Sequence, residues 1–79
     1  MRLDKFLKLS RIIKRRTVAN KFCTAQKISV NGKIAKAATT VKIDDIIQID
    51  LGKQTLQIKV LKIIENANKK NFQDMYQTI

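Results

Sequence analysis

The spacing of the apolar residues changes near residue 27, and this change restricts the fold more than any other feature. Before it, apolar side chains recur every three to four residues, as in amphipathic helices. After it, they alternate with polar side chains, as in strands. A chain of 79 residues has room for one core. The pattern predicts an α+β fold: two N-terminal helices packed on a small, mostly antiparallel sheet of four or five strands.

Two helices are predicted in the helical part of the chain. The first covers residues 2–13, and its buried face consists of Leu3, Phe6, Leu7, Ser10 and Ile13. Its exposed face carries Asp4, Lys5, Lys8 and Arg11. The second helix starts after Thr17, a plausible N-cap, and its buried face consists of Val18, Ala19, Phe22 and Ala25, with Cys23 nearby as a small core residue.

Two hairpins are predicted in the alternating part. Asn31-Gly32 is a strong type I′ turn between two short runs, because such a turn needs positive φ twice. Gly52-Lys53 separates a second pair of alternating runs, and a bulge or bend is expected near Leu61. Residues 65–79 form an extension with a short helix that packs back on a core of residues 2–64, so that residues 1–79 form one domain.

The excess of positive charge comes from one half of the chain. The net charge is +11, and residues 1–42 supply all of it, with twelve Lys or Arg and a single acid, Asp4. Residues 43–79 carry five charges of each sign. A one-sided basic surface is typical of a protein that binds a polyanion.

The basic run at the start of the second helix is the strongest functional feature. Lys14, Arg15 and Arg16 lie where cations oppose the helix dipole, so stability does not account for them. Free N–H groups and basic side chains at such a site suit phosphate. Asp4 is expected to be structural, because it lies in the first helical turn and can hold Lys8 or a neighbouring arginine in place.

Catalytic and metal-binding patterns are missing from the sequence. There is no His, the single Cys23 cannot build a zinc site, and neither glycine lies in a phosphate-binding loop. We therefore expect no enzyme activity, no cofactor and no metal. The unpaired cysteine and the lack of a long apolar run predict a cytoplasmic protein without a membrane segment.

The N-terminal motifs resemble a known family. "RLDKFL", Arg11, "RR" at 15–16, Ala19 and "ISVNG" at 28–32 are similar to the S-four RNA-binding domain, named for the fourth protein of the small ribosomal subunit. The resemblance covers roughly residues 2–50. It implies that structured RNA is gripped by the first helices and the loop between them.

The "KRRT" and late "MY" segments resemble the short stand-alone members that act in bacterial ribosome quality control. This resemblance implies a monomer that binds rRNA of the obstructed large ribosomal subunit and P-site tRNA. It also implies a partner factor that adds C-terminal alanine tails while the peptidyl-tRNA is held. The expected RNA-binding residues are Arg2, Lys5, Lys8, Arg11, Lys14, Arg15 and Arg16. The expected supporting residues are Asp4, Thr17, Asn31 and Gly32.

The sequence departs from the motif at three places, and three other functions stay open. Arg15 replaces a usual Ser or Thr, Gln26 replaces a usual Gly, and Asp44-Asp45 replaces Gly-Asp; Gln26 must take positive φ or end its helix differently. The alternatives are a general rRNA chaperone or assembly factor, a small architectural DNA-binding protein, and the accessory domain of a pseudouridine synthase. The second lacks residues suited to reading base edges, and the third needs a catalytic domain that 79 residues cannot hold.

Overall fold

The computed structural model describes residues 1–79, which form two helices and one five-stranded sheet. The helices are α1 (Leu3–Leu9) and α2 (Arg16–Thr24). The strands are β1 (Ile28–Val30), β2 (Lys33–Ile34), β3 (Ile46–Asp50), β4 (Thr55–Val60) and β5 (Tyr76–Thr78). Their order in the sheet is β2-β1-β3-β4-β5, and every neighbouring pair is antiparallel. The predicted α+β class is confirmed.

Helix α1 is shorter than the predicted 2–13. It ends at Leu9, with Ser10 as C-cap, because Arg11 takes a left-handed conformation with φ of 61°. The predicted apolar face is nevertheless buried in full, from Leu3 to Ile13. Phe6, which is fully buried, contributes about 1.5–3 kcal/mol by leaving water. The apolar spacing was therefore a better guide to burial than to the end of the helix.

Helix α2 begins differently from the prediction. Its N-cap is Arg15, which makes no side-chain capping bond, and Thr17 is exposed within the first turn. The predicted cap at Thr17 is thus wrong. Of the predicted buried face only Ala19 is buried, whereas Val18 and Ala25 are exposed and Phe22 is half-buried. That prediction is wrong for most of the face, because α2 meets the core only through Ala19 and Cys23.

The C-terminal end of α2 closes with a left-handed residue. Gln26 has φ of 61°, its N–H donates to the Cys23 carbonyl, and the Lys27 N–H donates to the Phe22 carbonyl. These two bonds form a Schellman motif, in which glycine is the usual residue at the left-handed position. Gln26 therefore takes positive φ rather than ending the helix in another way.

The first hairpin forms as predicted. Asn31 and Gly32 both have positive φ, 53° and 84°, and join β1 to β2. The Asn31 side chain also accepts a hydrogen bond from the Ile46 N–H at 2.9 Å and donates one to Asp45 at 3.0 Å. Asn31 thereby fixes the turn to the start of β3.

The second hairpin and the C-terminal segment complete the sheet. Residues 51–54 join β3 to β4, with Gly52 at φ of 87°. The expected bend follows β4, where the N–H groups of Leu61 and Lys62 both lie within 3.3 Å of the Met75 carbonyl. The predicted terminal helix is only a 3-10 turn over Phe72–Met75, and the strand β5 that follows it was not predicted.

The core lies between the helices and one face of the sheet. Its strand residues are Ile28, Ile47, Ile49, Ile58 and Val60, and fully buried Met75 joins them from the C-terminal segment. Burial raises the pKa of the Cys23 thiol, and the negative charge of Asp4 adds to this effect. Neither α1 nor α2 has the length and the apolar surface that a membrane-spanning helix needs.

Candidate nucleic-acid interface

Asp4 is the centre of the basic N-terminal region, and it is buried rather than exposed as the helical pattern predicted. Its carboxylate accepts hydrogen bonds from the Lys5 backbone N–H and the Asn20 amide, both at 2.8 Å. The Arg2 guanidinium donates to both carboxylate oxygens, at 3.2 and 3.3 Å. Arg16 forms an ion pair with Asp4, with 3.1 Å between Nε and Oδ2. The carboxylate therefore ties the start of α1 to the start of α2.

The ionised form of Asp4 is favoured in this setting. Burial by itself raises the pKa of the carboxyl. The Arg16 guanidinium, the Asn20 amide and the Lys5 N–H outweigh burial and hold the pKa of Asp4 below its ordinary value of 3.8. Asp4 is thus a fixed negative charge at neutral pH.

Arg2 and Arg16, called here the anchored arginines, face solvent while they contact Asp4. Their side chains are 52% and 46% exposed, whereas the Asp4 side chain is 2% exposed. A guanidinium has five N–H donors, and Asp4 engages two on Arg2 and one on Arg16. The other donors remain available, and a planar guanidinium can grip phosphate with two of them.

The ion pair with Asp4 changes the interpretation of Arg16. The sequence suggested that stability does not account for a cation at the start of α2. Arg16 instead stabilises a buried carboxylate, which offsets its unfavourable place at the positive end of the helix. It is therefore a structural residue as well as a candidate ligand-binding one.

The backbone at Arg2 is held by the segment that precedes β3. The Leu3 N–H donates to the Thr39 carbonyl, and the Val41 N–H donates to the Met1 carbonyl, both at 2.8 Å. Arg2 and Thr40 form a β-bridge between these bonds. The position of the Arg2 side chain is therefore set by backbone and carboxylate together.

Two further cations are engaged by the C-terminal segment. The Lys5 ammonium lies 3.0 Å from a carboxylate oxygen of Glu65, in an exposed salt bridge. The Arg11 guanidinium lies over the Phe72 ring, with its Cζ 4.8 Å from the centroid. Such contacts contribute modestly at exposed sites, about 0–1 kcal/mol each. The two contacts place Glu65 and Phe72 of the C-terminal segment against cations of the N-terminal region.

The remaining cations are unpaired. Lys8, Lys14 and Arg15, called here the free cations, are exposed and form no ion pair or cation–π contact. Lys8 and Lys14 lie with Arg11 around an open pocket of about 330 Å³. The seven predicted RNA-binding residues thus divide into an anchored pair, two cations held by the C-terminal segment and three free cations.

Comparison with known proteins gives the family. The S4 domain model matches residues 1–47, which is more than half of the chain and includes all seven cations. The chain belongs to the S4 domain family.

Full-length relatives narrow this membership. The chain is 46% identical over 79 residues to the RQC P-site tRNA stabilizing factor of Streptococcus pneumoniae, covering 100% of this chain and 90% of the relative. It is 41% identical over 76 residues to the factor of that name in Bacillus subtilis, covering 96% and 88%. Within the S4 domain family, the chain therefore belongs with these stabilizing factors.

A solved structure shows the same fold. Heat shock protein 15 of Vibrio cholerae, described as trimeric, superposes with a TM-score of 0.91 at 29% identity. The match covers 100% of this chain and 81% of that protein. The sheet and both helices of this S4 domain protein therefore follow an arrangement already known in a relative.

The predicted supporting residues divide between two places. Asp4 lies within the basic face, whereas Asn31 and Gly32 lie in the first hairpin and support the sheet. Thr17 makes no capping bond. Sequence reasoning missed Asn20, which donates to Asp4 and to the Arg16 carbonyl, at 2.8 and 3.1 Å. The sequence feature that could have identified Asn20 is its position one helical turn after Arg16.

Proposed function

We propose that this S4 domain protein is a non-enzymatic RNA-binding factor of bacterial ribosome quality control, acting in the cytoplasm as a monomer. It binds rRNA of an obstructed large ribosomal subunit together with the P-site tRNA. By holding the peptidyl-tRNA, it allows a partner factor to add alanine residues to the C-terminus of the stalled chain. It requires no cofactor.

The anchored arginines are the observation that carries the proposal. Two half-exposed guanidinium groups from different helices converge on one buried carboxylate, which fixes their spacing before any ligand arrives. Preformed spacing lowers the ordering cost of gripping an RNA backbone, and phosphate contacts fix the register of the protein on the nucleic acid. The names of the full-length relatives support the P-site tRNA as one of the bound RNAs.

Co-sedimentation with large ribosomal subunits tests the proposal. Subunits that carry peptidyl-tRNA are compared with empty subunits, and duplex DNA serves as a second polyanion. We expect retention by subunits with peptidyl-tRNA to exceed retention by empty ones. Equal retention by both subunits would favour a general rRNA chaperone or assembly factor, and equal binding to DNA would favour an architectural protein.

Salt dependence tests whether the RNA backbone dominates. If about six phosphates are neutralised, log K falls against log[salt] with a slope of about −4 to −5. A flat response would mean that shape or stacking contacts dominate, and the electrostatic part of the proposal would be wrong.

A further inference from the structure

The open pocket beside α1 differs from the rest of the basic face. Three cations, Lys8, Arg11 and Lys14, surround it, and Leu9 and Ala67 give it an apolar part. Its volume of about 330 Å³ falls at the small end of the range for ligand pockets, about 300–1,000 Å³. A duplex backbone would touch the rim of such a pocket without entering it.

Arg11 presents a flat guanidinium at this pocket. Its Cζ lies 4.8 Å from the Phe72 ring centroid, so an aromatic ring lies against the group. Arg11 also holds a left-handed backbone conformation, with φ of 61°, that few non-glycine residues adopt. Unstacked RNA bases commonly stack on arginine planes and aromatic rings.

We infer that this pocket takes one unpaired nucleotide of the bound RNA. Its base enters against the Arg11 plane and the apolar surface of Leu9 and Ala67, while Lys8 and Lys14 hold the flanking phosphates. The inference rests on the proposed function and deepens it, because it gives the interface a preference for RNA with an extruded base. The anchored arginines would hold the adjacent backbone.

The chemistry of the lining favours a nucleotide over a free anion. An inorganic anion would use the three cations but leave the apolar surface unused. A nucleotide uses both, because its base has an apolar face and its phosphate carries charge. Ala67 also brings the C-terminal segment into the site, although the S4 domain match ends at residue 47.

The test uses three RNA hairpins with one shared stem. One is fully paired, one has a single unpaired 2-aminopurine, and one has an abasic unit at that position. We expect wild-type protein to bind the 2-aminopurine hairpin about tenfold more tightly than the paired one, the size of one stacked base. The abasic hairpin should lose this advantage, and the 2-aminopurine fluorescence should change on binding.

Two variants alter the pocket without altering net charge. Ala67→Leu fills its apolar side, and Arg11→Lys keeps the charge but removes the plane. Each should abolish the preference for the unpaired base. Ala67→Leu, which lies outside the seven predicted RNA-binding residues, should also keep the affinity for the paired hairpin and its salt dependence. Ala25→Leu, a matched change at the far end of α2, should keep the preference.

The outcomes separate this inference from the proposed function. If wild-type protein sediments with large subunits but binds all three hairpins equally, only the nucleotide pocket is refuted. The same holds if the abasic hairpin binds as tightly as the 2-aminopurine hairpin. If the protein binds neither the hairpins nor the subunits, both proposals are overturned.

Discussion

The anchored arginines and the free cations carry the same charge but are held in different ways. Arg2 and Arg16 are fixed by a buried carboxylate that joins two helices, whereas Lys8, Lys14 and Arg15 extend into solvent without partners. A fixed side chain has already lost the rotamer freedom that an unpaired one loses on binding, about 0.5–1.5 kcal/mol. From this difference we expect the anchored pair to set where RNA docks and the free cations to add attraction.

Substitution of Arg16 is expected to have the largest effect on RNA binding. Arg16→Ala is expected to weaken large-subunit binding by about 1.5–3 kcal/mol, the contribution of a charge-assisted hydrogen bond or slightly more. Arg16→Lys should recover only part, because an ammonium cannot offer two parallel donors. Co-sedimentation measures both, with Lys62→Ala as a control for loss of one charge outside this face. Equal losses of binding for Arg16→Ala and Lys62→Ala would contradict the special role assigned to the anchored arginines.

The same variant should also lower stability, which the sequence did not suggest. Without Arg16, the buried Asp4 carboxylate keeps Arg2 and Asn20 but loses an ion pair. A urea titration of Arg16→Ala beside wild type should show a lower midpoint. An unchanged midpoint would mean that the pair contributes nothing to folding.

Substitution of Asp4 separates the effect of net charge on RNA binding from the effect of anchoring the two arginines. Asp4→Asn raises the net charge by one, so charge alone predicts tighter RNA binding. If anchoring matters, binding weakens and the free energy of unfolding falls by about 1–3 kcal/mol, because two guanidinium groups lose their acceptor. Asp74→Asn, an exposed acid that makes no ion pair, is the matched control. Tighter binding by both variants would show that only net charge counts.

Acid should weaken the contact between Asp4 and the anchored arginines. The native pKa of Asp4 lies below its ordinary value, so its contribution to stability is complete above the unfolded pKa, near 3.8. That contribution is lost as the pH falls through the native pKa. Urea midpoints between neutral pH and pH about 3 should decline more for wild type than for Asp4→Asn, since the variant lacks this carboxylate. Parallel curves would contradict the assigned direction of the pKa shift.

Removal of a free cation should have a smaller effect. Lys14→Ala is expected to reduce the salt slope by about 0.7–0.9, the contribution of one phosphate contact, and to weaken binding by less than a single anchored arginine does. Its urea midpoint should not fall, because Lys14 has no partner and lies near the positive end of α2. A salt titration of RNA binding measures the slope. A stability loss equal to that of Arg16→Ala would remove the distinction between the two groups.

The smallest expected effect lies outside the basic face. Gln26→Gly should stabilise the fold by about 0.5–1 kcal/mol, because glycine adopts positive φ without the strain of an L side chain. RNA binding should not change, since Gln26 lies at the opposite end of α2 from Arg16. Thermal melting and co-sedimentation check the two halves of this prediction. Altered binding would mean that the functional face extends to this turn.

Local patterns predicted those parts of the molecule that depend on neighbouring residues. Apolar spacing identified the buried face from Leu3 to Ile13, and Asn31-Gly32 gave the first hairpin. The end of α1 was missed because Arg11, not glycine, takes positive φ. Strand β5 was missed because three residues show too short an alternation.

The sequence predicted the candidate site only in part, for a similar reason. The charge pattern predicted which cations take part, and the structure joins two of them through Asp4 and three around one pocket. Which of them are fixed depends on how α1 and α2 approach, and that brings Asn20 to Asp4 across sixteen positions of sequence. The contacts of Glu65 with Lys5 and Phe72 with Arg11 likewise arise only when the C-terminal segment folds back. Local sequence patterns do not predict such long-range contacts.

The left-handed backbone at Arg11 has a consequence for anyone who engineers this protein. A glycine at this position would adopt the positive φ without steric strain, but the substitution would remove the guanidinium that lies over the Phe72 ring. A variant library sorted only for heat resistance should therefore enrich glycine or asparagine at this position. A library sorted for retention on ribosomes should keep arginine, and the two selections would then diverge at a single codon.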